Sequence, residues 1–170
     1  GVLLDGFERI ERALATDGVK QVEDALRQEF YVLRATAGDW AAWDDTRDFV
    51  LGKNPGYTDA NLSAQSLATI NLNFMACYDD ERKQLFLVCT DLEEATDVPC
   101  SESLGHALQA TDLLFQHSAA NDAKVGLIRL PDGIAQVASW PVTNNEQELP
   151  IHGTLMIGRY LTQTQMDRLS

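Results

Sequence analysis

Basic residues are scarce in this chain of 170: 13 lysines and arginines stand against 26 aspartates and glutamates, a formal net charge of −13 with a sequence pI near 4.4. Such a field repels phosphate backbones, so nucleic acid is not an expected partner. It also repels an anionic membrane surface at long range. A cationic ligand is attracted, although net charge does not place a site. Long apolar runs are missing as well, and nothing approaches the roughly 20 residues of a membrane span. No signal peptide opens the chain, and Gly1 stands where a methionine would. The start reads as that of an excised segment or a processed end, so the sequence is expected to be a soluble piece of something longer.

Cysteine is sparse. Cys77, Cys89 and Cys100 leave at least one thiol unpaired within the chain, and none has metal-site spacing. A Cys89–Cys100 or a Cys77–Cys89 bridge suits an oxidising compartment, and three small buried apolar residues suit the same count. His106, His117 and His152 are scattered and read as surface or capping residues. Catalytic signatures are missing too: there is no Gly-x-Gly-x-x-Gly and no Gly-x-Ser-x-Gly. Gly153 to Tyr160 has the spacing of a phosphate-binding loop but lacks its lysine and hydroxyl residue, and its interior alternates like a strand. The adjacent Asp44 and Asp45 diverge on a helix, which argues against paired acid–base work. No catalytic residue, metal or cofactor is expected.

What is present suits one globular domain: 45% hydrophobic residues in a chain long enough for a sizeable core. The organising stretch is Asp39 to Leu51, which holds Trp40 and Trp43, four aspartates and Arg47. On a helix, Trp40, Trp43 and Arg47 share one face. Asp39 after Gly38 suits an N-cap, and Gly52 a stop. Before it, residues 1–37 read as a long helix. Leu3, Phe7, Ile10 and Leu14 give a coiled-coil seam for a homodimer, and Val22, Leu26, Phe30 and Leu33 give a shifted stripe that packs on the domain. After it, Lys53-Asn54-Pro55-Gly56 is a turn, and Thr58 or Asp59 caps a short helix through Leu67. Asn61-Leu62-Ser63 matches a glycosylation sequon that recurs by chance.

Leu72–Tyr78 and Gln84–Cys89 read as a hairpin, and Ser103–Phe115 as a helix. Lys124–Leu130, Ile134–Val142 and Ile151–Leu161 read as three consecutive strands. The last alternates Leu155, Ile157 and Arg159 against Thr154, Met156, Gly158 and Tyr160. Thr162–Leu169 starts an exit helix. Successive strands with short turns imply an antiparallel sheet with helices on a face, an α+β class.

Three segments together resemble a known family: Asp39 to Thr46 with Phe49, the hairpin opening Asn73-Phe74, and Gly153 to Leu161. The chain is similar to the fourth type of CHASE domain (cyclase/histidine-kinase-associated sensory extracellular), over nearly its whole length. It departs from the family pattern at Arg47, at the hairpin tip Asp80 to Lys83, and in the polar loop Asn144 to Gln147. The resemblance implies a PAS- or Cache-like fold with about five strands and a long N-terminal helix. It also implies a periplasmic or extracytoplasmic position between two transmembrane helices. The implied output is cytoplasmic: a diguanylate cyclase, a phosphodiesterase or a histidine kinase.

The expected ligand is an unknown small molecule bound between sheet and helices. Trp43, Asp44, Tyr57, Trp140 and Arg159 are the candidate binding residues. Trp43 and Trp140 would form apolar or cation–π walls, and Asp44 would hold a cation or pair with Arg159. The alternative reading is a ligand-free dimerisation or protein-interaction module. A hydrolase using Asp44 ranks last.

Overall fold

The structure is a computed structural model that describes residues 2–5 and 20–169, with side chains over 24–167. The elements in chain order are β1 (Val2–Asp5), α1 (Lys20–Ala41), α2 (Asp44–Val50), α3 (Tyr57–Asn61), α4 (Ala64–Thr69), β2 (Phe74–Asp79), β3 (Gln84–Asp91) and β4 (Thr96–Val98). They continue with α5 (Glu102–Ala110), a 3-10 turn (Asp112–Phe115), β5 (Lys124–Leu130), β6 (Gly133–Val142), β7 (Gly153–Tyr160) and α6 (Gln163–Leu169). All described pairings are antiparallel, in one sheet ordered β1-β5-β6-β7-β2-β3-β4. The expected α+β class is the one observed. The five expected strands form the centre, and two short edge strands bring the sheet to seven.

The first of these edges corrects the expected helix over residues 1–37. Val2–Asp5 pairs with β5, placing Leu3 opposite Ile128. An apolar strand here covers the open backbone edge of β5. Phe7, Ile10 and Leu14 of the expected seam lie outside the described residues. The helix also runs further than expected, to Ala41. Gly38 does not stop it and Asp39 does not cap. The indole of Trp140 lies against Gly38, 3.0 Å from where a Cβ would stand, so this glycine is a packing contact within the helix. The break comes at Trp43, whose extended backbone precedes Asp44. The expected short helix through Leu67 is two helices, because Ser63 caps the second by accepting from the Ser66 N–H at 3.1 Å. Likewise Ser103–Phe115 divides at Thr111 into α5 and the 3-10 turn.

Leu26, Phe30, Leu33, Ala37 and Ala41, all buried, form the stripe by which α1 lies on the sheet. Strand alternation assigns the two faces. Met75, Cys77, Ala138, Leu155 and Ile157 pack with the α1–α4 side, while Phe74, Ala76, Tyr78, Val137 and Met156 pack under α5 and the 3-10 turn. Helices therefore cover both faces, not the single face expected. The alternation read for β7 places its side chains correctly. Its two glycines are steric requirements and not a phosphate loop. A Cβ on Gly153 would collide with the Tyr78 carbonyl. One on Gly158 would enter the Phe74 ring and come 2.6 Å from the Gln136 carbonyl oxygen.

Of the alternatives open for cysteine, Cys89 and Cys100 form a disulfide, with Cα atoms 5.4 Å apart. Cys77 is a free, buried thiol whose pKa is pushed up to about 12 by burial. No described helix is long and apolar enough to cross a membrane.

Two stability measurements check this packing. Gly158→Ala should destabilise by about 1–3 kcal/mol through overpacking, read as a lower urea midpoint. Gly56→Ala, at a site with nothing within 4 Å of the added carbon, should leave that midpoint nearly unchanged. Reducing the disulfide, which closes an 11-residue separation, should cost about 3 kcal/mol, visible as a lower thermal midpoint in reductant.

Candidate functional site: a polar-walled cavity beneath the first helix

The structure distributes the five expected binding residues over four places. Trp43 and Tyr57 belong to an aromatic cluster. Trp43 lies edge-on to Trp40 at 5.7 Å between centroids and 5.9 Å from Tyr57, which stacks on Phe49 at 5.0 Å. The Tyr57 hydroxyl meets Thr46 Oγ1 at 2.8 Å inside the core. Burial raises its pKa, so the phenol stays neutral. This cluster holds α2 and α3 on the sheet.

Asp44 is half-buried and makes a reciprocal pair with Asn145: each backbone N–H donates to the other side chain at 2.9 Å. Arg47 stays local, 3.0 Å from Asp48 and 3.7 Å from Asp44. Trp140 donates its indole N–H to the Arg34 carbonyl at 2.8 Å.

Arg159 stands elsewhere. Its guanidinium is 2.7 Å from Glu29 on α1. The expected pairing with Asp44 does not occur, and the reason is strand length. Asp44 sits beside the β6–β7 loop, whereas Arg159 lies six residues along β7 from Gly153, about 20 Å at strand rise.

Beside Arg159 is a partly open cavity of about 150 Å³, lined by α1, the Ile70–Leu72 turn and β6–β7. That is close to the volume of a cavity known to hold benzene. Val32, Leu33, Ile70 and Leu72 make its apolar walls, and Glu29, Asn71, Gln136 and Arg159 supply polar groups. Asn71 turns the chain with a left-handed backbone (φ 59°), a conformation asparagine tolerates.

Gln136 is buried on β6, a mostly apolar strand whose other polar side chain is Ser139. Its side-chain Oε1 accepts from an Arg159 nitrogen at 3.4 Å, and its Nε2 donates to the Leu26 carbonyl at 3.5 Å. On the far side of Glu29, the Gln165 amide of α6 donates to both carboxylate oxygens at 3.2 Å. One carboxylate thus joins α1, β7 and α6. With side-chain exposures of 20% for Arg159 and 29% for Glu29, the pair is shielded enough to matter electrostatically. Glu29, Asn71 and Gln165 escaped the sequence reading. Gln136 was detectable as a polar residue at an inward position of a mostly apolar strand.

His117 is half-buried, where a surface or capping role was expected. Its Nδ1 meets the Asp122 carbonyl at 2.8 Å and its Nε2 meets Thr154 Oγ1 at 3.2 Å. Burial lowers its pKa. The Asp122 carboxylate accepts from the Ser118 N–H and Lys124, and these hold its pKa down. No group of three or more His, Cys, Asp or Glu side chains suited to a metal occurs among the described residues.

These features define an α+β domain whose first and last helices converge on one polar cluster at the edge of a small cavity. The chain belongs to the CHASE4 domain family, whose model matches residues 25–170. This is a family of sensory domains that carry no catalysis of their own. The chain is 30% identical over 145 residues to the methanogenesis regulatory histidine kinase FilI of Methanothrix harundinacea (strain 6Ac). That match covers 85% of this chain and spans only 16% of the kinase. A solved structure, the sensor domain of DcuS from E. coli, is similar at a TM-score of 0.47 and 13% identity, over 88% of this chain and 98% of that one.

Two changes probe the polar interior. Tyr57→Phe should cost about 1 kcal/mol by leaving Thr46 without its partner, measured by chemical denaturation. For His117, a folded pKa below the unfolded value near 6.5 favours the neutral ring. Its contribution is full above that value and is lost as pH falls through it toward the folded pKa. The thermal midpoint of His117→Gln should therefore decline less between pH 7 and pH 5 than that of the parent chain.

Proposed function

We propose that this chain is the extracytoplasmic sensory domain of a membrane-bound signalling protein, and that it binds a small molecule in the cavity beneath α1. The carrying observation is the position of Glu29. It lines the cavity, pairs with Arg159 on the sheet and holds the exit helix through Gln165. A ligand that takes Arg159 must change what Glu29 contacts, and so must alter how α1 and α6 sit together. It shifts that equilibrium only by its differential affinity for the two arrangements.

Family membership supports the sensory role. The disulfide suits an oxidising, periplasmic or extracellular setting. The kinase relative supports a histidine kinase as the output, with a diguanylate cyclase or phosphodiesterase as the other outputs. Flanking transmembrane helices would join α1 and α6 to that output. A homodimer along the N-terminal segment would let two copies move together.

The test is thermal unfolding of the 170-residue chain against amines, carboxylates, amino acids, nucleotides and metal ions, alongside Val32→Trp. Val32 is an exposed residue on the cavity wall, so the indole should block the cavity without disturbing the core. A ligand at a hundred times its Kd should add about 2.7 kcal/mol, a rise of about 5–10 °C for this size, abolished in Val32→Trp. A shift that survives Val32→Trp would place the ligand elsewhere. No shift with any compound would favour a domain that works through protein contacts.

A further inference from the structure

The chemistry of the cavity also narrows its ligand, on the reading that this cavity is the sensory site. We propose that the ligand is a compact zwitterion, an amino acid or amino-acid-like molecule of about six to eight heavy atoms, whose carboxylate takes Arg159 and whose ammonium takes Glu29. The two charges of the site now satisfy each other at 2.7 Å. A bare carboxylate on Arg159 would strand Glu29 beside a second anion, and a bare amine on Glu29 would strand Arg159. A partly buried charge left without its partner is costly. A zwitterion exchanges one ion pair for two and strands neither.

The field of the whole chain weighs against a bare anion and attracts a cation, so it is the stranding of Arg159 that disfavours an amine. A net charge of −13 opposes anions and is indifferent to a neutral zwitterion.

The site also remains organised when the pair opens. Gln136 still faces Arg159, and Gln165 still donates to the Glu29 carboxylate. Both charged groups thus keep a neutral partner that fixes their direction, which lowers the ordering cost of binding. Val32, Ile70 and Leu72 offer an aliphatic surface for a short side chain, and none of the described residues lining the cavity is aromatic. A volume of about 150 Å³ suits a short side chain beside both charged ends, and an indole would have to project from the open side away from these walls.

Isothermal titration of the 170-residue chain with L-alanine, β-alanine, γ-aminobutyrate, L-valine and L-tryptophan, and with the single-charge analogues propionate and propylamine, tests the assignment. At least one small zwitterion should bind saturably, with propionate and propylamine at least about 30-fold weaker and L-tryptophan also weaker. Glu29→Gln should weaken the zwitterion by a similar factor while leaving propionate unchanged or improved. Failure of every small zwitterion to bind by about 10 mM would overturn the proposal, as would propionate or propylamine binding as tightly. If the analogue that binds is lost in Val32→Trp, only the ligand class fails and the cavity reading stands. Zwitterion binding that persists in Val32→Trp would overturn both.

Discussion

The Glu29 carboxylate is where the ends of this domain meet. It receives the Arg159 guanidinium from the last strand and the Gln165 amide from the exit helix. An ion pair at a fully exposed surface contributes little. This one is mostly shielded, borders a cavity and carries a third partner, so its opening has consequences for three elements at once. The cavity puts a candidate ligand next to that junction, which gives a local event a mechanical route outward.

The rest of the molecule makes such a route credible by being rigid. The sheet is clamped between helices on both faces, and Gly158 admits the Phe74 ring where any side chain would be refused. The aromatic cluster around Tyr57 fixes α2 and α3, and Trp140 pins the middle of α1 through Gly38 and the Arg34 carbonyl. The C-terminal half of α1 is thus held by contacts that do not involve Glu29.

Much of this was readable beforehand. The alternation of β7, the order of hairpin, helix and three strands, and the family all follow from periodicity and motif. What misled was tertiary. Gly38 read as a helix boundary, and only the Trp140 ring, brought over from β6, shows why it lies inside the helix. Arg159 had many carboxylates to choose from, and local pattern cannot choose among them. The length of β7 decides for Glu29 and against Asp44. The structure places the tryptophans of residues 39–51 in the aromatic packing around Tyr57 and Asp44 beside the β6–β7 loop, away from Arg159. Glu29 and Asn71 are ordinary residues in the sequence, and only the packing of α1 on the sheet brings both to one cavity.

The most direct measurement is hydrogen exchange of the α6 amides in Glu29→Ala compared with the parent chain. If Glu29 is the junction, α6 (Gln163–Leu169) should exchange markedly faster in the variant, while the central strands β2, β6 and β7 keep their protection. Unchanged protection of α6, with Glu29 gone, would show that the exit helix is held by other contacts and would contradict the account.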